Sequence, residues 1–133
     1  MAEALGKAAF KAAGHDVVCR SAGVMAIDGG RASANAIAAM AQMGIDIAGH
    51  ISQSVTQGMV EQADAILTMC ESHRREMCAR YPHWAGKIYT LHTYAKTGGK
   101  DVLDPFGQDI YAYEQCAAEI NDAIKRIAAG WAT

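Results

Sequence analysis

The stretch Asp101-Val-Leu-Asp-Pro-Phe-Gly107 carries more chemistry than a connector needs. Two carboxylates, Asp101 and Asp104, stand three residues apart, and a carboxyl group held beside a reacting bond can give or take a proton. Pro105 fixes its own φ and biases Asp104 toward extended backbone, which steadies the carboxylate. Phe106 adds an apolar ring and Gly107 a turn. The same wording also fits a plain solvated Asp-Pro turn. The stretch is half of a site, and the nucleophile or anion cradle that would complete it has to come from elsewhere.

No other stretch supplies that half. The four cysteines, Cys19, Cys70, Cys78 and Cys116, form no Cys-x-x-Cys pair and read as reduced thiols. Cys70 and Cys78 stand eight apart on a predicted helix, a rise of about 12 Å that no disulfide spans unless the helix unwinds. Arg20-Ser-Ala-Gly23 lacks the nucleophile-elbow pattern, which leaves Ser21 a hydrogen-bonding role at a strand end. None of the five histidines pairs with another at ligand spacing, so no metal and no other cofactor is expected. Glu71-Ser-His-Arg-Arg-Glu76 reads as a solvated helix face.

Bulk properties narrow the setting. At 133 residues the chain is long enough for one domain, residues 1–133, with a core of its own. A net charge of -2 with 20% charged residues does not suggest a nucleic-acid partner. No apolar run has the length of a membrane span and the first residues lack the pattern of a signal peptide, so the expected location is the cytoplasm.

The elements that must position the carboxylates follow from periodicity. Residues 2–13 put Leu5, Ala8, Ala9, Ala12 and Ala13 on one helical face, yet no capping side chain precedes them. Val17–Val24 reads as a strand leading into a turn at Asp28-Gly-Gly30. Ser33 caps a second helix that ends at Gly44, with Ile37, Met40 and Ala41 on a shared face, and Thr56 opens a short helix through Val60. Ala63–Met69 is a strand-length apolar run, followed by a charged helix over Glu71–Arg80 that stops before Pro82. Lys87–His92 alternates as a third strand. Ile110–Ala129 is a long amphipathic helix with Tyr113, Ala117, Ile120, Ile124 and Ile127 inward. Helices alternating with short strands predict an α/β domain with a parallel sheet.

Taken in order, Met1-Ala-Glu-Ala-Leu5, Arg20-Ser-Ala-Gly-Val24, Asn35-Ala-Ile-Ala-Ala-Met-Ala-Gln-Met-Gly-Ile45, His50-Ile-Ser-Gln53, Ala65-Ile-Leu-Thr-Met69 and Asp101-Val-Leu-Asp-Pro-Phe-Gly107 resemble the low-molecular-weight protein tyrosine phosphatase family. The Asp-Val-Leu-Asp-Pro-Phe-Gly wording is similar to its bacterial branch, which includes protein arginine phosphatases. The resemblance implies a three-layer α-β-α fold of the phosphotyrosine phosphatase I type, with four parallel strands of which the first lies between the second and third. It also implies phosphatase activity on a phosphorylated protein or a small aryl phosphate, through a phosphocysteine intermediate. Asp104 matches the family's general acid, Phe106 its aromatic wall beside the leaving group, and His50 a position with a structural hydrogen bond. Asp101 would sit as a neighbouring like charge to Asp104.

The family's nucleophile lies in a loop of Cys, five residues, then Arg-Ser-Pro, directly before Met-Ala-Glu. No cysteine of this chain stands six residues before an arginine. The expectation is an N-terminally truncated domain without the first central strand, the catalytic Cys or the phosphate-holding Arg. Such a chain would have negligible activity and a gap in its sheet, filled by rearrangement, strand exchange or a homo-oligomer. Two alternatives stand beside the phosphatase: a non-catalytic truncated paralogue that binds partners, and a redox protein using Cys70 and Cys78, as in the thioredoxin-linked arsenate reductases that share this fold.

Overall fold

A computed structural model describes residues 1–24 and 29–131. Helix α1 (Ala2–Ala12) and helix α2 (Ala34–Gln42) precede a short helix α3 (Gln57–Gln62). Strand β1 (Ile66–Thr68) leads through α4 (Glu71–Arg80) and a 3-10 turn at Pro82–Lys87 to strand β2 (Ile88–Thr90). Helix α5 (Leu91–Ala95) and the long α6 (Ile110–Ala129) complete the order. β1 and β2 run parallel, with Ile66 opposite Ile88 and Thr68 opposite Thr90, so helices alternate with parallel strands in the expected α/β, three-layer manner.

Strand periodicity explains the layers. Ile66 and Ile88 occupy matching register positions and both face a small cluster with Val60 and Met77. Leu67, one residue on, packs instead against the large cluster built by α1, α2, α5 and α6. Successive side chains on a strand point to opposite faces, which is why a three-residue strand can serve two cores. The large cluster is rich in small residues: Ala117, Ala123 and Ala39 are almost fully buried, as are Leu5 and Met40. Small side chains let the helix axes approach closely, and each fully buried large one contributes roughly 1.5–3 kcal/mol.

Helix ends follow their caps. Ser33 Oγ accepts the Ala36 N–H and starts α2, Thr56 does the same for α3, and Gly44 leaves α2 with φ +76°, a conformation glycine adopts without strain. α1 begins without a side-chain cap, as expected. The buried face of α2 is Ala36, Ala39 and Met40; Ala41, expected inward, is exposed and Ile37 is only partly covered.

Two strand expectations are corrected. Val17–Val24 forms no strand: its regular pairing is a single parallel bridge between Gly23 and Ser54. Among the described residues no strand lies alongside residues 17–22, and an extended segment without a neighbour makes no ladder. Asp28 of the expected Gly-rich turn lies outside the described residues. The strand expected over Lys87–His92 covers only Ile88–Thr90, because the Thr90 hydroxyl accepts the Thr93 N–H and starts α5, placing His92 in a helix.

Candidate active site

The Asp101–Gly107 loop is pinned on both sides. Asp101 Oδ1 accepts the Glu71 backbone N–H at 2.9 Å, and the Val102 N–H donates to Met69 O at 2.7 Å. Both anchors lie where β1 passes into α4, so the loop is fixed to the carboxyl end of a strand. Val102 and Pro105 are buried while Leu103, Asp104 and Phe106 face outward. On the far side the Asn35 amide donates to Gln108 O at 3.2 Å, and Asp109 caps α6 by accepting the Ala112 N–H at 3.0 Å.

Within this frame Asp104 Oδ1 accepts the Phe106 N–H at 3.0 Å, the Asx-type turn that Asp favours. The Gln108 side chain donates to Asp104 O at 3.3 Å. The Phe106 ring is 79% exposed, free to flank whatever meets Asp104. Asp101, expected as a like charge beside Asp104, has its carboxylate on the N–H of the first α4 residue, at the positive end of that helix dipole.

Burial pushes the Cys116 thiol above its ordinary pKa, the Glu119 and Asp104 carboxylates push it further, and the Met1 amino group pulls it back. The charges of Asp104 and of the Met1 amino group both bear on this α6 thiol. The N-terminus of α1, like any helix N-terminus, favours an anion.

Glu3 organises the neighbouring wall. Its Oε1 accepts the Ser21 N–H at 2.8 Å and the Ser21 hydroxyl at 3.2 Å, and its Oε2 meets Lys7 at 3.3 Å. Burial alone would raise the Glu3 carboxyl, but the Lys7 hydrogen bond and charge and the two bonds from Ser21 outweigh it and hold the pKa below its ordinary value. Ser21 is the strand-end hydrogen-bonder expected of it, without the strand. His50 Nδ1 lies 3.6 Å from Glu3 Oε2, too long for the expected hydrogen bond.

The thiol pair is kept apart. Cys70 stands at the N-cap of α4 with its sulfur 3.3 Å from Ser72 Oγ, and Cys78 accepts from Arg74 Nη1 at 3.7 Å; all four cysteines are free. Among the described residues no three His, Cys, Asp or Glu side chains converge as metal ligands would, and no helix is long and apolar enough to cross a membrane. One cluster gave no sequence signal: His92 between Thr97 and Glu119, where a 27-residue separation leaves no periodicity to read.

A pinned Asp-Pro-aromatic turn stands at the carboxyl end of a parallel strand in an α/β fold. The chain belongs to the low molecular weight phosphotyrosine protein phosphatase family, whose model matches residues 1–132. It is 34% identical over 128 residues to the protein-arginine-phosphatase of Bacillus subtilis, covering 96% of this chain and 85% of that protein. It superposes with a TM-score of 0.90 on the low molecular weight protein tyrosine phosphatase of T. tengcongensis, at 35% identity over 95% of this chain and 86% of that one. An arsenate reductase of Brevibacillus brevis is 31% identical over 94 residues, 71% of this chain and 62% of that protein.

Proposed function

We propose that these residues form the general-acid half of a phosphatase acting on a phosphorylated protein side chain, the phosphate ester of tyrosine or the phosphoramidate of arginine. Asp104 gives its proton to the leaving oxygen or nitrogen as a thiolate attacks phosphorus. It then takes a proton from the water that hydrolyses the phosphocysteine. Phe106 stacks on the departing group. The thiolate and a guanidinium to hold the phosphate are supplied by a Cys-x5-Arg loop, and none occurs in the 133 residues. By itself this chain therefore has negligible turnover, because an acid can assist only a leaving group that is under attack. The observation that carries the reading is the outward-facing Asp104 on a loop anchored to the β1–α4 junction.

The redox alternative is less well supported. Cys70 and Cys78 are separated by two turns of α4, and a relay between them would require that helix to unwind.

The test joins a strand and a Cys-x5-Arg-Ser-Pro loop ahead of Met1 and compares Asp104 with Asp104→Asn. A phenolic leaving group of pKa near 10 needs its proton, so the substitution lowers kcat on phenyl phosphate by about 10²–10⁴, and less on para-nitrophenyl phosphate, whose leaving group is more acidic. Equal losses on both substrates, or none, would remove Asp104 from the acid role.

A further inference from the structure

Among the described residues His92, 7% exposed on α5, is a buried titratable side chain outside this machinery. Its Nε2 meets Glu119 Oε2 on α6 at 2.5 Å, and its Nδ1 meets Thr97 Oγ1 at 2.6 Å. Each ring nitrogen of His92 thus has its own side-chain partner. Thr97 Oγ1 then accepts the Gly99 N–H at 3.2 Å. The result is one connected run from Gly99 through Thr97 and His92 to Glu119, and hydrogen bonds in such a chain polarise one another. The backbone at Gly99 lies flat on the imidazole: a Cβ there would come within 3.0 Å of Nδ1 and 3.1 Å of Cγ. Any larger residue at that position would press on the imidazole, a constraint of contact rather than of conformation.

This run holds the entry to the acid loop. Between Thr97 and Asp101 the chain passes through Gly98, at φ +75°, Gly99 and Lys100, all exposed. Ordering such residues costs conformational entropy, most for glycine, and they bury little that would offset it. Asp101 reaches the Glu71 N–H only from the end of this span. We infer that His92 is a positioning residue for Asp104: bonded to Glu119 and Thr97 and packed under Gly99, it fixes the Gly98-Gly99 span so that Asp101 and Val102 dock on the β1–α4 junction and Asp104 is presented outward beside Phe106. This rests on the acid role of Asp104, but its test reads position rather than turnover, so failure of the one is distinguishable from failure of the other.

Two amides report the geometry directly: Glu71 N–H, bonded to Asp101, and Phe106 N–H, bonded to Asp104. Nitrogen-15 spectra and hydrogen exchange of the 133-residue chain are compared for wild type, Thr97→Val, Thr97→Ser and His92→Phe, with Ala36 and Ile124 as remote controls. The clamp predicts that Thr97→Val and His92→Phe lower protection at Glu71 at least tenfold and shift Phe106, with the controls unchanged, while Thr97→Ser restores wild-type behaviour. If His92→Phe does not fold, the valine–serine pair decides. Valine behaving like wild type, serine behaving like valine, or a loss shared equally by Ala36 and Ile124 would overturn the assignment.

Discussion

Asp101 Oδ1 accepts the Glu71 N–H at 2.9 Å, tying the loop that carries Asp104 to the first turn of α4. The next residue, Val102, repeats the tie by donating to Met69 O. The loop's two carboxylates therefore have separate jobs. Asp101 anchors it on a helix dipole, and Asp104, three residues on, is presented outward beside Phe106.

Asp101→Ala removes that anchor and leaves the α4 N-terminus without its carboxylate. Loss of a side-chain cap costs about 1 kcal/mol, so the urea midpoint falls by that equivalent, whereas Asp101→Asn, which keeps an acceptor, loses less. Equal loss in the two variants would mean that the bond to Glu71 contributes nothing of its own.

Lys96 ends α5 in the left-handed region at φ 56°, where a side chain is strained. Lys96→Gly relieves the strain, and after the entropy glycine regains on unfolding it stabilises by roughly 0.5–1 kcal/mol. Lys96→Ala, equally strained, changes little. Thermal melts of the two variants check the order.

Glu3 links stability to pH. Its carboxyl is held below the ordinary glutamate pKa in the folded chain, so its contribution is present above the unfolded value and is lost as pH falls through the folded one. Wild type therefore loses stability more steeply than Glu3→Gln between pH 5 and 3. Urea titrations across that range should converge at the acid end; parallel curves would show that the bonds from Lys7 and Ser21 do not favour the charged form.

Among the described residues the sheet has two strands, and Val18, on the extended segment that pairs only at Gly23, is 79% exposed. Unpaired strand edges recruit other chains. Light scattering of the 133-residue chain should give a dimer or larger species at tens of micromolar, and a monomer under those conditions would contradict strand recruitment.

Most elements were legible because their signals are local. The Glu71–Arg80 and Ile110–Ala129 helices carry their own charge pattern, periodicity and stops, and their observed bounds match. Asp104 and Phe106 could be picked out because proline and glycine punctuate their turn. What could not be read depends on partners far away in the chain. Val17–Val24 has strand composition, but composition cannot supply a neighbouring strand. Thr90 looks like any β-branched strand residue until its hydroxyl is seen capping α5. Asp101 could be assigned to Glu71, and His92 to Glu119, only once the fold brought them together.

The most direct measurement is turnover of para-nitrophenyl phosphate by the 133-residue chain, beside the same chain with a strand and Cys-x5-Arg-Ser-Pro loop joined ahead of Met1. An acid loop without a nucleophile predicts no release above the buffer blank from the chain alone, release from the extended chain, and loss of that release with Asp104→Asn. Turnover by the 133 residues themselves, abolished by Asp104→Asn, would contradict the account and require a nucleophile among residues assigned no such role.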